Sequence, residues 1–368
     1  MPTDECEFHT KISRLRTLLV QHQVDGILLR RTSSFAWATC GAASYVNAAS
    51  TEGVASLLIT PEDLFLITNN IEAPRLEQEE GLTRQGWQML ISPWENPLAE
   101  LQRRTFGLRL VSDVCFENAQ VIAGEISHLR SDLTPQEQDR FRELGRQCSQ
   151  AISSAGRSIE PGMSELQITA IIAEKTQKKG IQPIVNLVAT DDRIKQFRHP
   201  LPTNKILDKY AMLVLSGRRQ GLVCSVTRLV YFGRVPDELQ QRILATAEVN
   251  AALIGASMPG IQLAAVLEEG KKAYARTGFP EEWRNHHQGG VAGYESREYL
   301  ATSESKDVIR KGQALAWNPT IAGAKMEDTI LVGENEIENL TYSADWPTIA
   351  LEAPGTGRTV QCALALER

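Results

Sequence analysis

Side chains able to move protons or hold charge gather at three places in this chain. The first is Arg198-His199-Pro200. The second is Asn285-His286-His287-Gln288-Gly289-Gly290-Val291-Ala292-Gly293-Tyr294-Glu295-Ser296-Arg297-Glu298. The third is Trp317-Asn318-Pro319 with Met326-Glu327-Asp328-Thr329. A histidine with a pKa of about 6.5 can take up and release a proton near neutral pH. His199 and Glu327 are therefore candidates for proton transfer and charge stabilisation. His286, His287, Tyr294, Glu295 and Arg297 are the candidates for substrate contact. The planar fork of an arginine suits a carboxylate, although Arg297 could instead pair with Glu295 or Glu298. Gly289-Gly290 reads as a tight turn or a close backbone approach, because no GxGxxG or P-loop pattern surrounds it. Cys224 and Ser225 lie outside any GxSxG elbow.

The elements that must position these residues follow from periodicity and punctuation. Ile12, Leu15, Leu18 and Leu19 give a helix over 8–23, and Gly26-Ile27-Leu28-Leu29 a buried strand. Val54–Thr60 and Leu64–Thr68, joined by Pro61-Glu62-Asp63, read as a hairpin. Helices near 71–80 and 97–104 alternate with strand-like segments near 86–91 and 108–112, which gives an α/β domain with a mixed sheet over residues 1–133. Thr134-Pro135-Gln136-Glu137 is a capping box that opens a long helix, and Ser164 with Gln167 is another. Pro161-Gly162 and Gly180 recur 98 residues later as Pro259-Gly260 and Gly278. The strand entries near 205 and 306 repeat at a lag of roughly 102. Residues 134–368 thus read as an α+β domain duplicated about a pseudo-twofold axis. His199 and Arg297 occupy matched places in the two halves, and a cleft on that axis would face both.

Bulk composition bounds the answer without choosing the chemistry. The 368 residues carry a net charge of -6, with 42% hydrophobic residues. Mean hydropathy is -0.24 and pI ≈ 5.7. No apolar run approaches the roughly 18 residues of a membrane span, and the acidic balance argues against nucleic acid as a partner. The six cysteines have no CxxC spacing and the N-terminus lacks the pattern of a leader, so a cytoplasmic protein with reduced thiols is expected.

Four segments in order resemble the pita-bread family of creatinase, prolidase, aminopeptidase P and methionine aminopeptidase. Gly221-x-x-x-Ser225-Val226-Thr227-Arg228 stands where that family has Gly-Tyr-x-x-Asp-x-Thr-Arg. His286 to Glu298 stands at its histidine- and glycine-rich loop. Asn318-Pro319 stands at its Glu-Pro-Gly, and Met326-Glu327-Asp328-Thr329 at its Ile-Glu-Asp-Thr. The resemblance implies a pita-bread fold over 134–368 and a creatinase-like N-terminal α/β domain. It also implies two divalent metals on five ligands, whose positions are here Val214, Ser225, Gly290, Asn318 and Glu327. Only Glu327 keeps a ligand side chain, so no metal and no cofactor is expected. A rearranged site on His286, His287 and Glu327 is the minor alternative.

Creatinase hydrolyses a C–N bond without metal, and the resemblance places its catalytic histidine at His199. That residue would take a proton from water and return it to a leaving nitrogen, with Glu327 as the second catalytic residue orienting or stabilising a cationic substrate group. The leading expectation is therefore a metal-independent hydrolase of a small carboxylate-bearing molecule or short peptide. An inactive binding module is the first alternative, and a metal-dependent Xaa-Pro aminopeptidase or prolidase the second. The resemblance also implies a homodimer in which Arg31, Phe35, Trp37 and Tyr45 of the segment Arg30–Ser50 reach the partner's cleft.

Overall fold

The apolar stripe Ile12, Leu15, Leu18 and Leu19 is the buried face of α1 (Glu5–His22). This is seen in a computed structural model that describes residues 5–368. Residues 1–4, the acidic start read above as unlike a leader, lie outside them. The chain divides into two compact units, Met1–Arg130 and Ser131–Arg368.

In the first unit β1 (Gly26–Arg31) runs directly into α2 (Thr32–Ala38), a helix buried along its whole length. β2 (Glu52–Ile59) and β3 (Leu64–Asn69) form the expected antiparallel hairpin. α3 (Ala73–Gln78), β4 (Gln88–Ser92), α4 (Ala99–Thr105), β5 (Leu110–Ser112), β6 (Gln120–Val121) and α5 (Ala123–Ser131) follow. The six strands form one mixed sheet in the order β4-β3-β2-β1-β5-β6. Phe35 and Trp37, expected to reach a partner's cleft, instead face the interior. Both are fully buried within α2, and releasing them would expose two large aromatic side chains. Arg31 is half-buried, and its Nε donates to the Asp113 carbonyl at 3.2 Å.

The second unit opens with α6 (Pro135–Ser158), capped as its sequence requires. Thr134 Oγ1 accepts from the Glu137 amide at 3.3 Å, and the Glu137 carboxylate accepts from the Thr134 amide at 2.7 Å. Such a cap contributes about 1 kcal/mol. Phe141, Leu144, Cys148 and Ile152 form the buried stripe of α6. α7 (Glu165–Gln177) starts at the second capping box, Ser164 with Gln167. Then come β7 (Gln182–Thr190), α8 (Asp192–Gln196), β8 (Tyr210–Arg219), β9 (Leu222–Tyr231), α9 (Asp237–Ala256) and α10 (Leu263–Arg276). The chain ends in β10 (Gly289–Ala292), β11 (Tyr299–Leu300), β12 (Ala314–Trp317), β13 (Thr320–Ile321), β14 (Ala324–Lys325), β15 (Asp328–Val332), β16 (Ile337–Asn339), β17 (Thr348–Ala353), β18 (Arg358–Ala363) and β19 (Leu366–Glu367). The two principal sheets are β19-β9-β8-β7 and β11-β10-β12-β15-β16.

The duplication is written in the backbone. The Gly162 amide donates to Leu207 O at 2.9 Å and the Leu207 amide to Met163 O at 2.8 Å. The matched pair in the second half is Gly260 to Ile309 at 2.9 Å and Ile309 to Ile261 at 2.9 Å. Isolated bridges Ser164–Ile206 and Gln262–Val308 repeat the same correspondence. The halves meet where Thr227 on β9 bridges Glu327, its amide donating to the Glu327 carbonyl at 3.0 Å.

Candidate active site

His199 lies on the irregular segment after α8, and Arg198 anchors that segment. Its guanidinium reaches Glu282 at 2.5 Å and Thr320 Oγ1 at 2.9 Å. His286 and His287 follow a single helical turn at Glu282–Asn285 and lead into β10. The Nε2 atoms of His199 and His286 lie 2.9 Å apart, and the rings of His286 and His287 stack with centroids at 4.4 Å.

The contacts of His286 fix its tautomer. Its Nδ1 faces the His287 carbonyl, which can only accept, so Nδ1 carries the hydrogen. Burial, and then the positive charge of Lys325, push the His286 pKa down to about 2, so the ring is neutral. Its Nε2 is therefore an acceptor and His199 Nε2 the donor. This leaves Nδ1 as the basic nitrogen of a neutral His199. Partial burial, then Lys325, also lower the pKa of His199. Burial and Arg297 push His287 down to about 4.

Glu327 meets this group from the opposite half. It is 5% exposed, accepts from Arg297 Nη2 at 3.0 Å and from Thr227 Oγ1 at 2.9 Å. Burial alone would raise its pKa, but Lys325, Arg297 and these hydrogen bonds outweigh it and hold the carboxyl ionised. Arg297 Nη1 also donates to the Ser296 carbonyl at 2.5 Å and lies 3.5 Å from Ser225 Oγ. The remaining nitrogen, Nε, is sealed in without a partner. Arg297 thus pairs with Glu327 and not with Glu295 or Glu298, and it has no free fork for a substrate carboxylate.

The other residues singled out from sequence separate clearly. Tyr294 is buried and its hydroxyl donates to Glu137 Oε1 at 2.7 Å, so it braces α6 and is not open to a ligand. Glu295 is half-buried in the turn after β10, its carbonyl accepting from Gly293 at 3.2 Å. Val214 is packed in the apolar core, across the β8–β9 hairpin from Thr227. Ser225 shares a 2.8 Å hydrogen bond with Ser216. Gly290 leaves no room for a side chain, since a Cβ there would stand 2.3 Å from the Tyr299 carbonyl. Asn318 is buried, and its Oδ1 has no hydrogen-bond partner. One buried residue was missed: Lys325, 3% exposed, whose charge acts on all three histidines and on Glu327.

Residues 139–334 match metallopeptidase family M24. The chain belongs to that family. Relatives at the sequence level include an uncharacterized peptidase of Staphylococcus haemolyticus, 24% identical over 228 residues, or 59% of this chain and 64% of the relative. A Xaa-Pro dipeptidase of Pyrococcus horikoshii is 24% identical over 201 residues, or 52% and 57%. The chain therefore matches less than two thirds of the length of these curated relatives. In fold it is similar to the prolidase of P. horikoshii OT3, with TM-score 0.79 at 18% identity over 91% of this chain and 98% of the other. The dipeptidase PepE of Mycobacterium ulcerans gives 0.79 at 16% over 100% of both chains. The N-terminal domain of a FACT complex subunit from Cicer arietinum gives 0.71 at 11% over 92% and 97%. These likenesses establish the two-domain pita-bread fold.

The ring nitrogens of His199, His286 and His287 lie within 4.8 Å of one another, a spacing that one ion could adapt to. Lys325 lowers the pKa of all three rings and Arg297 that of His199 and His287, while Glu327 acts in the opposite sense on His199 and His287.

Proposed function

We propose that this M24 chain hydrolyses a C–N bond of a small carboxylate-bearing molecule or short peptide, without a binuclear metal centre. Four of the five positions that resemblance assigns to metal ligands are Val214, Ser225, Gly290 and Asn318. The fifth, Glu327, is held by a guanidinium. An apolar side chain, a position too tight for any side chain and a carboxylate already neutralised by arginine do not fit two hard cations.

The observation that carries the reading is the 2.9 Å Nε2–Nε2 contact that locks neutral His199 with Nδ1 as its base. In the proposed step His199 Nδ1 takes a proton from water as the water oxygen bonds to the carbon of the scissile C–N bond. The same proton then passes to the departing nitrogen, so imidazole is regenerated. His286 accepts from Nε2 and stabilises the transient imidazolium. Glu327, kept ionised, contributes in the same sense through space. General acid–base work of this kind contributes about 10²–10⁴-fold. His199→Ala, assayed against N-substituted amino acids and Xaa-Pro dipeptides, is expected to lose that factor. Full turnover in the variant would refute the assignment. A binding module is the second reading, favoured by the commitment of both outer nitrogens of Arg297 to the protein itself. Turnover of any member of that panel excludes it.

A further inference from the structure

We propose that Lys325 is the anion anchor of this site and that it takes a carboxylate group of the substrate. The inference rests on the hydrolase reading for its substrate, but the binding it describes is measurable without turnover.

The residue sits on β14 opposite Thr320, two positions before Glu327. In extended chain, residues two apart share a face. Met326 between them packs into the apolar core, so Lys325 and Glu327 face together toward the histidines. Among the described residues the Lys325 ammonium makes no hydrogen bond and no salt bridge. Glu327, its nearest opposite charge in sequence, is already bonded to Arg297 and Thr227. A buried ammonium without a hydrogen-bonded partner is costly.

The charge count at this face has the same sign. Lys325 and Arg297 are cationic, Glu327 is anionic and the three histidines are neutral, while Arg198 is matched by Glu282. One positive charge is left over. A single carboxylate would neutralise it and give the ammonium its missing acceptor. Arg297 cannot serve, since its outer nitrogens are committed and Nε is enclosed. Lysine is a compact point charge that a carboxylate oxygen approaches end-on. The substrate would then lie with its acidic end at β14 and its scissile bond toward His199.

The test titrates acetate and N-acetylglycine into the full-length protein at constant ionic strength, read by calorimetry. His199 and His287 pKa values are followed by NMR in the same samples. The wild type is expected to bind both probes saturably and to show upward pKa shifts on saturation. Lys325→Met should bind at least about 10-fold more weakly, the ratio equivalent to 1.4 kcal/mol, and Lys325→Arg within about 3-fold of wild type. His199→Ala should bind normally while losing turnover, which separates failure of the anchor from failure of the hydrolase reading. Unchanged probe affinity in Lys325→Met would overturn the proposal. So would absence of saturable binding or of pKa shifts in the wild type, whether or not the variant folds. Acetate binding that requires added zinc would overturn it as well.

Discussion

His199 owes its proton inventory to its neighbour, because the His287 carbonyl fixes His286 and His286 fixes His199. Burial and the Lys325 and Arg297 charges lower the pKa of His199. A base must be unprotonated to act, so the acid limb of kcat/KM should fall below the ordinary histidine value of about 6.5. An acid limb above that value would contradict the assigned field. His199, His286, His287, Arg297 and Glu327 were all legible in sequence as residue types that do proton and charge chemistry. Their partners were not. The Arg297–Glu327 pair joins residues from separate segments, and Tyr294 reads as a contact residue until its hydroxyl is seen on Glu137. Lys325 escaped notice as one more lysine beside a turn. Its spacing of two from Glu327 was the available signal.

Elements announce themselves where local chemistry is strong. The two capping boxes and the 98-residue recurrence of Pro-Gly turns marked the start of both helices and the duplication, because backbone hydrogen bonds at those points are local. α2 was missed: its seven residues, Thr-Ser-Ser-Phe-Ala-Trp-Ala, carry no capping side chain and its burial comes from tertiary packing. At this scale Gly290 makes a sharp prediction. It lies between β11 and β12, and an added methyl group would collide with the backbone at Tyr299 and Ala301. Gly290→Ala is expected to destabilise by about 1–3 kcal/mol, as overpacking does. A denaturant midpoint equal to wild type would contradict it.

For the molecule as a whole, family and fold were readable from four ordered motifs, while the neutral state of the histidines depends on contacts between the two halves of the duplicated unit. His286 and His287 titrate in the folded protein at about 2 and about 4, below the unfolded value of about 6.5. Below pH 6.5 the unfolded state binds protons that these native rings refuse. Stability should therefore decline as pH falls from about 6.5 toward 4. His286→Gln with His287→Gln should flatten that slope in urea titrations at pH 7 and pH 5, and an unchanged slope would contradict the buried neutral pair.

Hydrolysis by a histidine system is proposed for a chain whose family is described as a metallopeptidase family. Its most direct test is turnover of the N-substituted amino acid and Xaa-Pro dipeptide panel by protein dialysed against EDTA, with metal content measured on the same sample. Turnover equal to that of the untreated protein is expected, with less than one metal ion per chain. Two ions per chain, with activity lost on dialysis and restored by a divalent metal, would contradict it.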